Sequence, residues 1–148
     1  MRLFRAADFD ISIFTSICQP AANTSPTNNL DLASLDGEQW RDIVGYEGSY
    51  QISSLGRVKS LERTILAKNG QRQHIRSRIL KPVSRSYNGY PTVALNDGKT
   101  RLRYIHDLML TAFVGARPDG MECRHLNDIP TDNRLENLWV KSESRWIF

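Results

Sequence analysis

The chain of 148 residues has few cysteines and no long apolar run. Its two cysteines, Cys18 and Cys123, form no CxxC pair, so a disulfide-stapled fold and a cysteine-rich zinc finger are both excluded. No stretch approaches the roughly 18–20 apolar residues that a membrane-spanning helix needs, which excludes an integral membrane protein. With 40% hydrophobic and 24% charged residues, the composition predicts one globular domain with appendages.

The net charge of +4 is small, but it is distributed unevenly along the chain. Residues 57–103 contain twelve basic side chains against two acidic ones, a net charge of +10, and the segments on either side are net negative. Such a block predicts a surface that binds a polyanion. Tyr87, Tyr90 and Tyr104 lie among these charges and are candidates to stack on sugars or bases. An ordinary solvated face of strands is the alternative interpretation.

Residues 1–36 are predicted to form a disordered tail. The run QPAANTSPTNN is rich in Pro, Asn, Ser and Thr and has no apolar period. The preceding ISIFTSIC is short and apolar, but Asp8 and Asp10 stand where a signal peptide needs positive charge. No targeting signal is therefore predicted.

Alternating apolar residues predict short β-hairpins after this tail. YQIS and RVKS flank the turn SSLG, and GYPTVAL and RLRYI flank a turn that contains Asp97-Gly98. HDLMLTAFV has apolar residues at helical spacing and predicts a core helix. MECRHL and NLWV then predict two strands around the polar loop LNDIPTDN.

This last segment carries the candidate chemistry. Residues 124–140 read RHLNDIPTDNRLENLWV, in which an Asn-Leu pair begins twelve residues after the His. Upstream lie YIHDLMLTAFVGARPDG and, before it, QWRDIVGYEGSYQISSLGRVKSL. In these three motifs and their order, the chain resembles the HNH endonucleases of the phage and intron homing branch, preceded by the small modular DNA-binding motif that often accompanies them.

The resemblance implies an α+β fold with a ββα-metal (His-Me finger) nuclease core in residues 104–148, preceded by short β-hairpins in a basic DNA-binding region of residues 37–103. It implies one divalent ion, Mg²⁺ or Mn²⁺, which neutralises charge on the phosphate. Carried over by position, His125 is the general base that deprotonates water, and Asn137 holds the arrangement in place. Asn133 is interpreted as a turn former in the loop.

Two positions depart from the family pattern. Where the homing branch has a metal-binding Asp before the His, this chain has Arg124, which has no lone pair to offer Mg²⁺. The second ligand position falls at or near Trp146, which cannot bind Mg²⁺ either. Glu143 is the best substitute ligand and Asp128 is another. The end of the chain at Phe148 predicts either a minimal enzyme or a truncated one with a damaged metal site.

Two further side chains have interpretations that need no chemistry. His106 matches a family position at a helix start, and we interpret it as a capping or core histidine. Cys123 shares a strand face with His125, and we interpret it as a small buried apolar residue.

The sequence therefore predicts a monomeric HNH-type DNA endonuclease that nicks or cleaves phosphodiester bonds in double-stranded DNA in the interior of the host cell, away from membranes. A catalytically decayed, HNH-derived DNA-binding protein is the alternative, and a basic RNA-binding module, which rests on charge alone, is the third interpretation. The side chains predicted to bind the DNA are Arg57, Lys59, Arg63, Arg72, Arg76, Arg78, Lys81, Arg85, Arg101 and Arg103.

Overall fold

The computed structural model describes residues 3–5, 29–84 and 87–142, and in these ranges short strands surround one α-helix. The strands are β1 (Leu3–Arg5), β2 (Trp40–Asp42), β3 (Tyr50–Ser53), β4 (Val58–Ser60), β5 (Arg63–Leu66), β6 (Arg72–Ile75), β7 (Arg78–Leu80), β8 (Thr92–Asn96), β9 (Thr100–Tyr104), β10 (Met121–His125) and β11 (Leu138–Ser142). Helix α1 is Ile105–Phe113, and a 3₁₀ turn covers Leu135–Asn137. The predicted α+β class is confirmed.

Both predicted hairpins are present. β3 pairs antiparallel with β4, with Ile52 opposite Val58, and β2 and β7 extend this pair to a four-stranded sheet in the order β2-β3-β4-β7. β8 pairs antiparallel with β9 across the predicted turn, where Gly98 has a positive φ of 104° that a glycine adopts without strain.

A third hairpin, β5–β6, was not predicted. Its two strands pair along their whole length, from Arg63 opposite Ile75 to Leu66 opposite Arg72, and most of their side chains are exposed. Because neither face of this hairpin is buried, its sequence lacks the alternation of apolar and polar residues that marks a half-buried strand.

Helix α1 joins the two predicted regions into one core. Its buried residues Ile105, Leu108, Met109 and Leu110 belong to a hydrophobic cluster that also contains side chains of β3, β4, β8 and β11. The predicted boundary between residues 37–103 and 104–148 therefore does not separate two cores. In the described ranges no helix has the length and apolar character to cross a membrane.

The segment with the candidate chemistry is a β-hairpin with a long loop. β10 pairs antiparallel with β11, which places His125 opposite Leu138, and β1 pairs with the other side of β11. β10 is consequently an edge of this three-stranded sheet, and His125 is its last residue. The helix expected after β11, with Glu143, lies outside the described residues.

Parts of the predicted tail contact the folded chain, so the prediction of disorder throughout residues 1–36 is wrong in two places. β1 pairs with β11, with Phe4 opposite Val140. The carbonyls of Asp31 and Ala33 accept hydrogen bonds from the buried guanidinium of Arg57, at 2.6 and 2.9 Å. A buried arginine has five N–H donors to satisfy, and these carbonyls lie in reach of it. The remainder of residues 1–28 lies outside the described ranges.

Candidate active site

His125 is held by one hydrogen bond at the end of β10. Its ring is buried, and its Nε2 lies 3.0 Å from Oδ1 of the fully buried Asn133. The Nδ2 of Asn133 faces the carbonyls of Pro130 and Thr131, at 3.5 and 3.4 Å. Since an amide nitrogen donates to carbonyls, the oxygen of Asn133 is the atom that faces His125, and Nε2 of His125 donates to it. Neutral His125 then has its lone pair on Nδ1, which makes no hydrogen bond to any described residue.

Asn137 holds the loop rather than the histidine ring. Its Nδ2 donates to the carbonyl of Asp132 at 2.8 Å and to Oδ1 of Asn127 at 2.9 Å, and its Oδ1 accepts from the Asn127 amide at 3.1 Å. None of these hydrogen bonds reaches the ring of His125, so the role of Asn137 in holding the arrangement stays a prediction. Asn133, which was interpreted as a turn former, is the residue that contacts the ring.

The carboxylate of Asp132 also holds the loop between β10 and β11 through hydrogen bonds. Asp132 accepts two hydrogen bonds from Arg134, both at 2.8 Å, and a third from Nδ2 of Asn127 at 2.8 Å. Burial raises the pKa of Asp132, but the hydrogen bonds and charge of Arg134 and the bond from Asn127 outweigh burial, so that the pKa lies below its usual value. Asp132 is thus an ionised structural group with its lone pairs in use.

Two aromatic rings contact His125, and a third packs behind them. Tyr90 and His106 contact it with ring centroids at 5.6 and 5.7 Å, and Tyr104 stacks on His106 at 5.3 Å. Burial lowers the pKa of His106; Asp107 acts in the opposite direction, and His125 lowers that pKa further. His106 packs as a partly buried histidine, and its Nδ1 has no hydrogen-bond partner among the described residues.

An open cleft of about 250 Å³ lies along the β10 edge beside these rings. Glu122, Arg124, His125 and Asp128 are the charged or titratable residues of its lining, together with Cys123. Burial raises the pKa of the Cys123 thiol to about 12, which keeps it protonated and agrees with a small apolar role.

Comparison with known proteins identifies the two halves of the chain. Residues 38–96 match the NUMOD4 motif, and residues 103–145 match the HNH endonuclease family. The chain carries a NUMOD4 motif followed by an HNH endonuclease domain. The histidine at the end of β10 and the polar loop that holds it lie within the HNH match.

A curated relative is similar over most of this chain. The DNA endonuclease I-HmuI of Bacillus phage SP01 is 31% identical over 104 residues, which are 69% of this chain and 52% of that protein. A solved structure described as DNA binding and cleavage by the HNH homing endonuclease I-HmuI matches with a TM-score of 0.54 and 30% identity, over 70% of this chain and 52% of that one. The chain therefore spans about half the length of the relative that it matches.

HNH endonucleases generally use a divalent metal ion, and the described residues of this HNH domain do not fit one at the expected position. Arg124 stands where the family pattern has an acidic ligand, and it has no lone pair for a cation. Within residues 29–84 and 87–142, no three His, Cys, Asp or Glu side chains form a cluster that could hold a metal. Of the two predicted metal ligands, Asp128 lines the cleft and Glu143 lies outside the described residues.

Arg57, which was predicted to bind DNA, is instead a buried structural residue of the NUMOD4 region. It is fully buried, forms an ion pair with Glu38 and lies over the ring of Trp40. Burial raises the pKa of Glu38, but the hydrogen bonds from Arg57, Ser53 and the Leu35 amide outweigh burial, so that the pKa lies below its usual value. All three guanidinium nitrogens of Arg57 donate hydrogen bonds within the protein, so this side chain is not available to a phosphate.

The other predicted DNA-binding side chains divide by exposure. Lys59 lies over the ring of Trp40, with its Nζ 4.1 Å from the ring centroid, and Arg63 donates hydrogen bonds to the carbonyls of Ser49 and Leu61. Arg85 lies outside the described residues. The exposed members are Arg72, Arg76, Arg78, Lys81, Arg101 and Arg103. Burial of an arginine depends on a partner elsewhere in the chain, which a count of charges does not reveal.

Proposed function

We propose that this chain is a DNA endonuclease that hydrolyses phosphodiester bonds with His125 as the general base. The observation that carries the proposal is the hydrogen bond between His125 and Asn133. It supports a proton on Nε2, which leaves the lone pair of Nδ1 for a water molecule in the cleft. The HNH match contains two histidines, His106 and His125, and alone would not say which of them acts.

In the proposed reaction, Nδ1 of His125 takes a proton from water while the water oxygen forms a bond to phosphorus. The bond between phosphorus and the leaving sugar oxygen breaks, and that oxygen takes a proton from solvent. The imidazolium then returns its proton to solvent. Asn133 keeps the ring oriented through all these steps because it bonds to the nitrogen that does not react.

The proposed substrate is double-stranded DNA within the host cell, bound by a monomer. The exposed arginines of β6, β7 and β9 are positive charges that can bind its phosphates. Use of Mg²⁺ or Mn²⁺, with Asp128 and Glu143 among its ligands, stays a prediction, and no step above depends on it.

The test is nicking of supercoiled plasmid in Mg²⁺, in Mn²⁺ and in EDTA. Loss of a general base lowers rates by typically ~10²–10⁴-fold, so His125→Ala should be at background in every condition where the unmodified chain nicks. His74→Ala is the matched control, since His74 is an exposed histidine on β6 remote in sequence from the HNH loop. Equal nicking by the unmodified chain and His125→Ala would contradict the proposal.

One observation favours a second function, a decayed nuclease that binds DNA without cutting it. Arg124 replaces the expected acidic ligand, and the described residues hold no metal cluster. This alternative predicts salt-sensitive duplex binding with no cleavage under any metal condition. Cleavage that His125→Ala abolishes would exclude it.

A further inference from the structure

Arg124 is an exposed arginine in the cleft of the candidate base. It directly precedes His125 on the edge strand β10, and both residues line the cleft. Unlike Arg57, Arg63 and Arg134, Arg124 makes no hydrogen bond or ion pair with any described residue. None of the described residues therefore occupies its guanidinium.

The charge of the cleft shows what that ligand can be. Glu122 and Asp128 contribute two negative charges to the lining, and Arg124 is its one permanently positive group in the described chain. A phosphodiester bound in this cleft would share it with two carboxylates, and like charges repel. Arg124 supplies the opposing charge, and its planar fork of N–H donors matches two phosphate oxygens.

The same charge acts against a cation. A divalent ion at the family's ligand position would lie against the guanidinium, which repels it and offers no lone pair. We infer that Arg124 binds the DNA phosphate beside His125 and excludes a divalent cation from the strand position that holds an acidic ligand in the family. This rests on the proposed function, because it places the substrate phosphate at the candidate base.

The first experiment measures the affinity of a short fluorescein-labelled DNA duplex in EDTA over a range of salt concentrations. Arg124→Ala should weaken binding about tenfold and reduce the slope of log K against log salt by ~0.9, as expected when one phosphate is no longer neutralised. Asp128→Asn is the matched control of opposite sign in the same cleft. This variant should bind the duplex more tightly. The positive φ of 55° at position 128 is one that asparagine adopts readily, so the substitution adds no backbone strain. Unchanged affinity and slope in Arg124→Ala would overturn the inference.

The second experiment titrates Mn²⁺ alone and measures its binding by electron paramagnetic resonance. Arg124→Asp removes the repelling charge and adds a third carboxylate beside Glu122 and Asp128, so it should bind Mn²⁺ at least tenfold more tightly than the unmodified chain. Equal binding by the two proteins would overturn the exclusion of the cation. Neither experiment requires cleavage, so failure of the nuclease proposal in the plasmid assay is distinguished from failure of this one.

Discussion

In the NUMOD4 region and the following hairpin the exposed arginines lie on separate strands and loops, whereas in the hairpin of β10 and β11 the polar side chains are buried and bonded to one another. Arg72, Arg76 and Arg103 are all exposed. His125 and Asn133, by contrast, are buried with a hydrogen bond between them. The first arrangement suits binding to a repeated charge by many weak contacts, and the second suits chemistry at one atom.

Arg57 differs from the exposed arginines of the NUMOD4 region because it is buried and paired with Glu38. Its removal should have the largest effect on stability. Arg57→Ala would leave the buried carboxylate of Glu38 and two carbonyls without donors. We expect the free energy of unfolding to fall by about 3–5 kcal/mol. Denaturant titration measures it. Arg72→Ala is the exposed control and should change that energy by less than about 0.5 kcal/mol. Similar values for the two variants would refute the structural role of Arg57.

The two loop asparagines sharpen the comparison within the HNH domain. Asn133→Ala should lower the nicking rate about 10- to 100-fold, because the ring of His125 loses the partner that orients it. Asn137→Ala should instead lower the free energy of unfolding by about 1–3 kcal/mol, since buried polar groups of Asn127 and Asp132 lose their partner. Initial nicking rates and denaturation curves of both variants test the assignment. The reverse pattern would restore Asn137 as the residue that orients the base.

The exposed arginines should have small and equivalent effects. Arg76→Ala and Arg103→Ala are each expected to weaken duplex binding uniformly across sequences and to reduce the salt slope by ~0.9 for each phosphate that is no longer neutralised. Fluorescence anisotropy at several salt concentrations measures both quantities. If either variant changed sequence preference while leaving the slope intact, base recognition rather than phosphate binding would explain the basic surface.

The smallest expected effect is on the pH dependence of stability. Burial lowers the pKa of His106 in the folded protein, whereas the unfolded chain has the ordinary histidine value of about 6.5. Below that pH the unfolded state binds more protons, so the contribution of His106 to stability is present above about pH 6.5 and is lost as the pH falls through and below it. His106→Phe keeps a ring at this position and should lose less stability between about pH 7.5 and 5.5. Thermal melts across this range, with His74→Ala as the exposed control, measure the difference. Identical pH dependence of the parent and His106→Phe would contradict the expectation.

The sequence predicts a strand or helix well where one face of that element is buried. Alternation and turn residues predict the β3–β4 and β8–β9 hairpins, and helical spacing predicts α1. The β5–β6 hairpin escapes prediction because both of its faces are largely exposed, and the adjacent apolar residues Ile65 and Leu66 do not alternate.

The site is predicted in part. Motif order leads to His125, and the HNH family assignment is confirmed by the family matches. Which asparagine contacts the ring depends on the path of the loop through the core. Family spacing gave the positioning role to Asn137, whereas Asn133 makes the contact with the ring. The burial of Arg57 depends on Glu38, nineteen residues earlier, so a net charge of +10 overstates the cations available to DNA.

The proposed mechanism depends most on the protonation of His125, and the neutral tautomer of this ring can be observed directly. Two-bond ¹H–¹⁵N correlation spectra of the imidazole rings should be recorded at about pH 8, above the ordinary histidine pKa of about 6.5. The mechanism predicts that His125 carries its proton on Nε2 and that Asn133→Ala abolishes this preference. A proton on Nδ1 would contradict it, because that nitrogen could then not accept the proton of water.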